Sequence, residues 1–319
     1  MSRPSPLPSH DGQTLASVVI VNWNTKQLLR DCLESVDAAA RALPGAVEVV
    51  VVDNASTDGS DSLVRDEFPR VRLIRNETNN GFAAANNQGL RECHGRFLLL
   101  LNPDTKVAPD AFAALVSFLD TNPRAGAVGP RIVGGQGELQ VSCSPLPTLG
   151  RELWRLLHLD ALRHVSMYPG GWWASDRPRA VDIILGACML IRRDVIEQVG
   201  SLDERFFIYT EEVDLCRRIL EAGWEIYWLP AAEIVHYGGA STSQVSSRMF
   251  LELYRSKVQY FRKHFGVWGA LAYKGVLLAG ALPRLVLMPA VAALVPSRRR
   301  RSLGVLRNYS SLLVQLPAL

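Results

Sequence analysis

A run of five apolar residues, Phe97 to Leu101, ends abruptly in the polar turn Asn102-Pro103-Asp104-Thr105. An uninterrupted apolar run of this length is typical of a strand buried on both faces, because a strand with one face in water alternates. In an open α/β sheet, ligands bind at the carboxyl ends of such strands. Asp104 is therefore a candidate oxygen ligand for Mg²⁺ or Mn²⁺, and a plain turn is the alternative, since turns favour the same residues.

The segments before this run alternate between predicted strands and predicted helices. Runs rich in β-branched residues predict strands at 17–22, 47–52 and 71–74, and apolar residues at helical spacing predict helices between them. The first helix follows Thr25, which is available as its cap. The strand at 47–52 also ends in an acid, Asp53. Connections of this length join parallel strands, so the order β-α-β-α-β-α-β predicts a doubly wound α/β fold.

No glycine-rich phosphate loop follows the first strand, which runs into Asn22-Trp23-Asn24 instead. Such loops hold phosphates with backbone N–H groups. A nucleotide bound here would therefore be held by carboxylates and amides around a metal, which favours a sugar nucleotide whose diphosphate leaves as a metal complex. The missing loop also argues against a nucleotidylyltransferase, which binds a nucleotide and Mg²⁺ on a similar sheet.

Further downstream, Glu211, Glu212 and Asp214 cluster at the start of a predicted helix that runs to about residue 222. Negative charge is favourable there because of the helix dipole, which explains the cluster without a function. The aromatic run at 206–209 provides a partly apolar wall that would raise a carboxylate's pKa toward that of a working base. His236, which ends the last predicted strand region, is a candidate metal ligand or a buried, hydrogen-bonded histidine.

The middle of the chain contains a loop-rich insertion at 146–173 with proline and glycine between its aromatic residues, Trp154, Tyr168, Trp172 and Trp173. Aromatic side chains in such a loop suit sugar stacking or packing against the sheet. A buried strand is predicted at 181–191, in which Gly186 and Ala187 leave room for a ligand or a neighbouring backbone.

Positive charge is confined to the end of the chain. Residues 266–319 carry seven Lys or Arg and no acid, and the whole chain carries +4, so residues 1–265 carry −3. A mildly acidic body argues against a nucleic-acid surface, whereas a basic apolar tail favours an anionic membrane surface. Residues 1–16, rich in proline, are predicted to be a disordered leader. The cysteines have no zinc-like or redox-like spacing and indicate buried thiols in a reducing compartment: Cys32, Cys93, Cys143, Cys188 and Cys216.

The tail segment 275–296 is about long enough to span a bilayer. Arg284 lies inside it, Pro283 and Pro289 are expected to break it, and four arginines follow at 298–301. We predict an interfacial or re-entrant anchor on the cytoplasmic face of the inner membrane. A true spanning helix, or helices that pack on the body, are the alternatives.

Seven stretches in order make the chain similar to inverting family-2 glycosyltransferases of the GT-A fold, and most to their bacterial rhamnosyltransferase-type branch. The resemblance covers roughly residues 17–265 and implies a doubly wound mixed α/β sheet. Its marks are VVIVNWN, VVVDNASTDGS, NNGFAAANN, LLLNPDT, GACMLIRR, DERFFIYTEEVDLCRR and IVHYGGAS.

The resemblance implies a donor pocket and a metal site. Asp53 stands where the family has the acid that hydrogen-bonds the nucleotide base, and Asn22 and the Asn80-Gly81 turn line the same pocket. Asn102-Pro103-Asp104 stands where the family has D-x-D: Asp104 keeps the position that binds Mg²⁺ or Mn²⁺, while Asn102 replaces the acid expected to contact the ribose. His236 stands where related enzymes supply a histidine to the metal or the diphosphate.

Thr210-Glu211-Glu212 occupies the place of the family's T/x-E-D, whose last acid is the catalytic base. Glu212 is one methylene longer than the usual aspartate, which leaves the base assignment between Glu212 and Asp214. The implied reaction is a single in-line displacement: the base takes the proton of an acceptor hydroxyl, which attacks the anomeric carbon as the nucleoside diphosphate leaves with inversion. A metal would neutralise the leaving phosphate.

The expected partners are a dTDP or UDP sugar donor, with rhamnose among the candidate sugars, and a lipid-linked or oligosaccharide acceptor in cell-surface polysaccharide synthesis. The predicted domains are the leader 1–16, a GT-A domain 17–265 and a membrane-associated helical tail 266–319. The alternative is a catalytically inactive glycan-binding or scaffolding subunit. Such a subunit would show a broken metal or base position, whereas the sequence keeps all four acids and bases, Asp53, Asp104, Glu212 and His236.

Overall fold

The computed structural model describes residues 7–165, 167, 168, 176–239, 242–295, 297 and 299–319. The chain divides into two compact units. The first comprises Met1–Leu146, Gly170–Phe207 and Glu211–Gln244, and the second Pro147–Pro169, Ile208–Thr210 and Val245–Leu319. This division differs from the predicted boundary at residue 265, because part of the predicted insertion and the start of the last long helix belong to the second unit.

Twelve strands and nine helices are named here in chain order. They are β1 (Thr14–Asn22), α1 (Lys26–Ala40), β2 (Ala46–Asp53), α2 (Ser60–Glu67), β3 (Arg72–Arg75), α3 (Phe82–Leu90), β4 (Phe97–Leu101), β5 (Thr105–Val107), α4 (Ala111–Thr121), β6 (Ala125–Val133), β7 (Leu139–Gln140), β8 (Cys143–Ser144), α5 (Leu149–Leu156), β9 (Arg179–Ala180), β10 (Ile183–Ile184), β11 (Cys188–Arg192), α6 (Arg193–Val199), α7 (Glu211–Glu221), β12 (Glu225–His236), α8 (Ser246–Leu294) and α9 (Arg299–Gln315).

The first unit is built on one mixed sheet with the strand order β3-β2-β1-β4-β11-β6-β12-β5. Strands β3, β2, β1 and β4 are parallel. Strand β11 is antiparallel to its neighbours β4 and β6, and β12 is parallel to β6 but antiparallel to β5. The predicted doubly wound, mixed α/β sheet is confirmed. Since β1, β2 and β4 run the same way, the residues that follow them meet at one edge.

Strand β4 forms the centre of the core, as its apolar run predicts. All five of its residues are buried, and they lie between β1 on one side and β11 on the other. Burying a large aliphatic or aromatic side chain contributes roughly 1.5–3 kcal/mol. This packing holds the turn that follows Leu101 on a rigid strand.

Three predicted elements differ from the structure. Strand β1 begins at Thr14, inside the predicted leader, and Asp11 accepts hydrogen bonds from the backbone and hydroxyl of Thr14. The buried strand predicted at 181–191 is two strands, β10 and β11, interrupted around Gly186. Thr25 is the N-cap residue of α1. Its hydroxyl does not accept a hydrogen bond from a backbone N–H of the helix and instead donates to Asn22 Oδ1 at 2.7 Å.

The second unit is helical and contains α5, α8 and α9. The break predicted at Pro283 and Pro289 is wrong, because α8 continues through both to Leu294. A proline removes one N–H donor, and the remaining hydrogen bonds carry a long helix past it. The interruption lies instead at Gly266, whose φ of 70° and ψ of −168° are non-helical.

A buried carboxylate joins α5 to α8 within this unit. Glu152 accepts hydrogen bonds from Lys257 Nζ at 2.8 Å, from Tyr273 Oη at 3.1 Å and from Arg155 at 2.7 Å. A buried charge is tolerated only when it is paired and hydrogen-bonded, as it is here.

Helix α8 is long and apolar enough, by length and composition, to cross a membrane. Its most apolar window has a mean hydropathy of 1.9, and 17% of that window is buried. Large apolar side chains at helical spacing form an exposed apolar stripe on α8, defined as Trp268, Leu271, Leu278, Leu282 and Val286.

Candidate functional site

The ends of β1 and β2 bring two predicted donor-pocket residues together. Asn22 and Asp53 are paired across the two strands and are both fully buried. Asn22 Nδ2 donates to Asp53 Oδ1 at 3.1 Å, and the backbone N–H of Ser56 donates to Asp53 Oδ2 at 3.0 Å. Because Thr25 occupies Asn22 Oδ1 as a donor, the Asn22 amide is fixed with its nitrogen toward the carboxylate.

Asn54, which the sequence analysis did not single out, organises the predicted Asn80-Gly81 turn. Its Oδ1 accepts from the backbone N–H of Asn80 at 3.0 Å, and its Nδ2 donates to the carbonyl of Gly81 at 3.2 Å and to Asn79 Oδ1 at 2.8 Å. Its place immediately after Asp53 is the only sequence signal for this role. A buried amide satisfied in this way holds a loop in one conformation.

Gly81 occupies a position that other residues cannot take. Its φ is +86°, and a β-carbon built there would lie 2.5 Å from the carbonyl oxygen of Phe207. The backbone N–H of Phe82 donates to the same oxygen at 2.6 Å. The turn is thereby packed directly against the aromatic run that precedes α7.

The structure brings together the two predicted metal ligands, Asp104 and His236. Strand β5 pairs antiparallel with β12, so Thr105 faces His236, and the Asp104 carbonyl accepts from the backbone of Tyr237 at 2.9 Å. His236 Nε2 then lies 3.3 Å from Asp104 Oδ1. Two ligands at right angles on a cation with bonds of about 2.1 Å stand about 3 Å apart, so the spacing fits a shared divalent ion.

Within the described ranges, no group of three or more His, Cys, Asp or Glu side chains could hold a metal ion. A site with two protein ligands suits Mg²⁺ or Mn²⁺ whose other ligands are waters and phosphates, and it does not suit a closed structural site. The residues present therefore fit a cation that arrives with a diphosphate.

Gln140, at the end of β7, holds the imidazole of His236 from the other side. Its Nε2 donates to the His236 carbonyl at 2.8 Å, and its Oε1 lies 3.1 Å from His236 Nδ1. Gln140 is not predictable from the sequence, because no spacing rule connects positions 96 residues apart. Only the pairing of β6 with both β7 and β12 reveals it.

Asn102, predicted to stand near the ribose, is fixed through its backbone. Its N–H donates to the carbonyl of Ala187 at 2.9 Å, and its carbonyl accepts from Thr105 Oγ1 at 2.7 Å. The neighbouring Gly186 faces α7: a β-carbon built on it would lie 3.7 Å from Glu212 Cβ. The short segment between β10 and β11 therefore borders both the Asn-Pro-Asp turn and the predicted base.

The two glutamates at the start of α7 lie in different environments. Glu211 is 4% exposed, and its Oε2 has no hydrogen-bond partner among the residues described. Burial, and then the neighbouring Glu212 carboxylate, raise the pKa of Glu211 well above its ordinary value. Glu212 is partly exposed, although its Oε2 atom is buried. A pKa raised in this way favours the protonated form of Glu211 next to the Glu212 carboxylate.

The two residues before α7, Tyr209 and Thr210, have left-handed backbones, with φ of 67° and 71°. This conformation costs roughly 1–3 kcal/mol for residues with a β-carbon, and it clusters at functional sites. The strain lies directly before the predicted base.

Asp214, the other candidate base, is fully buried and paired with a cation. Arg218 Nε donates to its Oδ2 at 2.9 Å. The same guanidinium donates to the carbonyls of Val199, Gly200 and Ser201 at 2.6, 2.9 and 2.8 Å. Asp214 thus anchors a helix-to-loop junction.

Of the aromatic residues in the predicted insertion, Trp172 and Trp173 lie outside the described residues. Trp154 lies on α5 in the second unit, where its indole N–H donates to the carbonyl of Arg163 at 2.9 Å.

A mixed sheet of this connectivity, with an edge of acids and amides beside an Asp–His pair and no glycine-rich phosphate loop, defines a nucleotide-sugar transferase of the GT-A class. The family model for glycosyl transferase family 2 matches residues 17–200, and the chain belongs to that family. The predicted family, fold and enzyme class, an inverting glycosyltransferase, are thereby confirmed.

Relatives extend the similarity beyond that range. An N-acetylglucosaminyl-diphospho-decaprenol L-rhamnosyltransferase of Mycobacterium tuberculosis is 31% identical over 274 residues, which cover 79% of this chain and 86% of the relative. The low-salt glycan biosynthesis hexosyltransferase Agl10 of Haloferax volcanii is 28% identical and covers 69% of this chain and 66% of its own. The predicted likeness to the rhamnosyltransferase branch is confirmed.

Solved structures show the same fold at lower identity. A mannosyltransferase from Pyrobaculum calidifontis in complex with GDP-Man and Mn²⁺ matches 99% of this chain and 90% of its own, with a TM-score of 0.55 and 19% identity. GalNAc-T7 with UDP, GalNAc and Mn²⁺ matches 77% of this chain and 48% of its own, with a TM-score of 0.53.

Proposed function

We propose that this glycosyltransferase moves a sugar, with rhamnose as the first candidate, from a dTDP or UDP donor to a lipid-linked glycan acceptor. The observation that carries the proposal is the Asp104–His236 pair, 3.3 Å apart at the carboxyl edge of the sheet. The M. tuberculosis relative, named for rhamnosyl transfer to a polyprenyl-diphosphate acceptor, supports the sugar and the acceptor class. We place this reaction in cell-surface polysaccharide synthesis.

Asp104 and His236 would hold Mg²⁺ or Mn²⁺, and the two solved structures described above, both with Mn²⁺, support a divalent ion. The cation would supply charge neutralisation for the leaving diphosphate. Asp53 and Asn22, with the Asn80-Gly81 turn, form the pocket for the nucleotide base.

Glu212 is the catalytic base in this proposal. Glu212 is partly exposed, although its Oε2 atom is buried, whereas Asp214 is fully buried in the ion pair with Arg218. Glu212 takes the hydroxyl proton, the oxygen attacks the anomeric carbon from the face opposite the diphosphate, and the configuration inverts.

The second unit would hold the enzyme on the cytoplasmic face of the inner membrane. The apolar stripe supplies area for the acyl boundary, and the seven basic residues of 266–319, with no acid, favour anionic lipid. An enzyme placed there meets a lipid-linked acceptor in the plane of the membrane.

A transfer assay tests the proposal directly. The full chain in detergent is incubated with Mn²⁺, a donor (dTDP-rhamnose or a UDP sugar) and the acceptor N-acetylglucosaminyl-diphospho-polyprenol. The molecular mass of the lipid product is then measured by mass spectrometry. We expect the acceptor mass to rise by one sugar. If folded enzyme transfers no sugar to any lipid-linked acceptor while it binds glycans, the scaffolding alternative is correct.

A further inference from the structure

We propose that Gln140 is a positioning residue that holds His236 in the tautomer whose Nε2 lone pair faces Asp104. The inference rests on the proposed metal site and adds a residue that neither the motifs nor the comparisons assign. It follows from two hydrogen bonds made by one amide group.

The first hydrogen bond fixes the orientation of the amide. A backbone carbonyl can only accept, so the Gln140 atom 2.8 Å from the His236 carbonyl oxygen must be the NH₂ group. The other amide atom, 3.1 Å from His236 Nδ1, is therefore the carbonyl oxygen Oε1.

The second hydrogen bond fixes the ring. An amide oxygen can only accept, so Nδ1 must carry the proton that it shares with Gln140. In a neutral ring Nε2 is then unprotonated, and its lone pair points toward Asp104 Oδ1, 3.3 Å away. A carboxylate oxygen also only accepts, so without a metal this contact is a hydrogen bond when Nε2 carries a proton, and a metal cation would take the place of that proton. In metal sites, the partner of the second ring nitrogen sets which nitrogen binds the metal.

Strand pairing places Gln140 beside His236. Strand β7 pairs with β6, which places Ile132 opposite Gln140, and the next strand, β12, carries His236. Gly238, two residues after His236, has a φ of +74°, and a β-carbon there would approach the ring at 3.9 Å. Among the described residues, Gln140 therefore supplies a hydrogen-bond partner for Nδ1, and Gly238 has no side chain that would crowd the ring.

The tautomer is read from ¹⁵N ring signals of histidine in the full-length, metal-free chain in detergent at about pH 9, well above the ordinary pKa of a histidine side chain. Six histidines are present, and His236→Ala assigns the signal. We expect wild type to show Nδ1–H. Gln140→Met should shift the ring toward Nε2–H, and Gln140→Glu, which keeps an acceptor at Nδ1, should retain Nδ1–H. A wild-type Nε2–H ring, or a Gln140→Met ring that stays Nδ1–H, overturns the proposal.

Mn²⁺ alone, added to the same samples, gives a second readout through paramagnetic broadening of the His236 signals. The half-maximal Mn²⁺ concentration should rise about 10–100-fold in Gln140→Met, the usual loss when such an outer partner is removed. Gln136→Met is the matched control, because Gln136 is exposed in the same hairpin, and it should behave as wild type. Equal Mn²⁺ affinity in Gln140→Met and wild type contradicts the positioning role. Failed sugar transfer by an enzyme that passes both tests would count against the proposed function only.

Discussion

Burial separates the two acids that could serve as the base on α7. Glu212 is partly exposed next to Gly186, whereas Asp214 is fully buried and bonded to Arg218. A general base must reach the proton that it removes, and a carboxylate closed off by an internal cation does not. In the proposed mechanism, the same chemical group therefore has a catalytic role at one position and a structural role two residues later.

Substitution of Glu212 should affect catalysis, and substitution of Asp214 should affect stability. Glu212→Gln should lower kcat by about 10²–10⁴-fold, the usual worth of a general base, and leave nucleotide binding unchanged. Asp214→Asn should lower the free energy of unfolding by about 3 kcal/mol, because Arg218 stays buried without its charge partner. Steady-state kinetics and denaturant unfolding measure the two effects, with exposed Glu221→Gln as the control. An Asp214→Asn enzyme of wild-type stability without activity would make Asp214 the base.

Glu211 should make the stability of the enzyme depend on pH. Its pKa is raised in the folded state by burial and by Glu212, above the ordinary value of 4.5. The folded protein then holds a proton that the unfolded chain releases. The associated stabilisation is complete below about pH 4.5 and is lost as the pH rises through the raised pKa.

Glutamine at position 211 carries no such proton. Compared with wild type, Glu211→Gln should gain stability progressively as the pH rises from about 4.5 toward neutrality, with a constant difference at lower pH. Denaturant unfolding across a pH series measures the difference, and Glu221→Gln on the same helix should show none. A difference that stays the same at every pH would mean that the pKa of Glu211 is the same in the folded and the unfolded chain.

At the level of single residues, the sequence identifies the groups but not their partners. Asp104 and His236 were predicted from strand ends and from the resemblance, and the structure brings them to 3.3 Å. Gln140 and Asn54 were missed, because a side-chain amide has no sequence pattern that reveals what it will bond. The choice between Glu212 and Asp214 depends on how deeply each side chain is buried. Burial is set by the tertiary packing around α7, which the sequence does not show.

At the level of elements, Gly266 is the one residue inside α8 with non-helical angles. Its φ of +70° and ψ of −168° lie in a region that is essentially restricted to glycine. Since a β-carbon there would meet nothing within 4 Å, backbone strain and not space limits the position.

Gly266→Ala should therefore lower the midpoint of thermal unfolding, by an amount equivalent to about 1–3 kcal/mol. Gly275→Ala is a matched control in the same helix, also with no atom within 4 Å of the new carbon. It should raise the midpoint, since alanine is favoured over glycine in helices by about 1 kcal/mol. If both substitutions stabilise equally, α8 is regular through residue 266.

Elements with a clear pattern of apolar residues were predictable from the sequence, and elements whose limits depend on tertiary contacts were not. The apolar run at β4 predicted a central strand, because only the middle of a sheet buries both faces. Proline suggested a break in α8, yet the helix continues through Pro283 and Pro289. The break between β10 and β11 was also missed, because the apolar pattern continues across the site-facing Gly186.

At the scale of the whole molecule, charge and apolar exposure are concentrated in the same unit. The second unit exposes Trp268 by 82% and Val286 by 72%, and its last 54 residues, 266–319, are basic without any acid. Charge asymmetry was readable from the sequence, whereas the membership of α5 in this unit was not, because it depends on the pairing of Glu152 with Lys257.

We expect the full chain to bind vesicles that contain phosphatidylglycerol and to bind neutral vesicles more weakly. Neutralising Arg299 and Arg300 to glutamine should weaken binding by about 30-fold, since each basic residue near an anionic surface contributes roughly 1 kcal/mol. Vesicle cosedimentation measures the binding. The control is the double variant Arg70→Gln/Lys106→Gln, which removes the same number of positive charges from exposed positions of the first unit. Equal loss in both double variants would show a response to net charge and no specific membrane surface.

In the proposed mechanism, a divalent ion held by Asp104 couples the enzyme to a nucleoside diphosphate. Calorimetry of dTDP, UDP and GDP binding, with and without Mn²⁺, tests it on wild type, Asp104→Ala and the control Asp110→Ala, an exposed residue whose side chain makes no cap bond. We predict Mn²⁺-dependent binding of one nucleotide, at least about tenfold weaker in Asp104→Ala and unchanged in Asp110→Ala. Binding that is independent of Mn²⁺, or the same in Asp104→Ala and wild type, would show that Asp104 does not hold a divalent ion that binds the diphosphate.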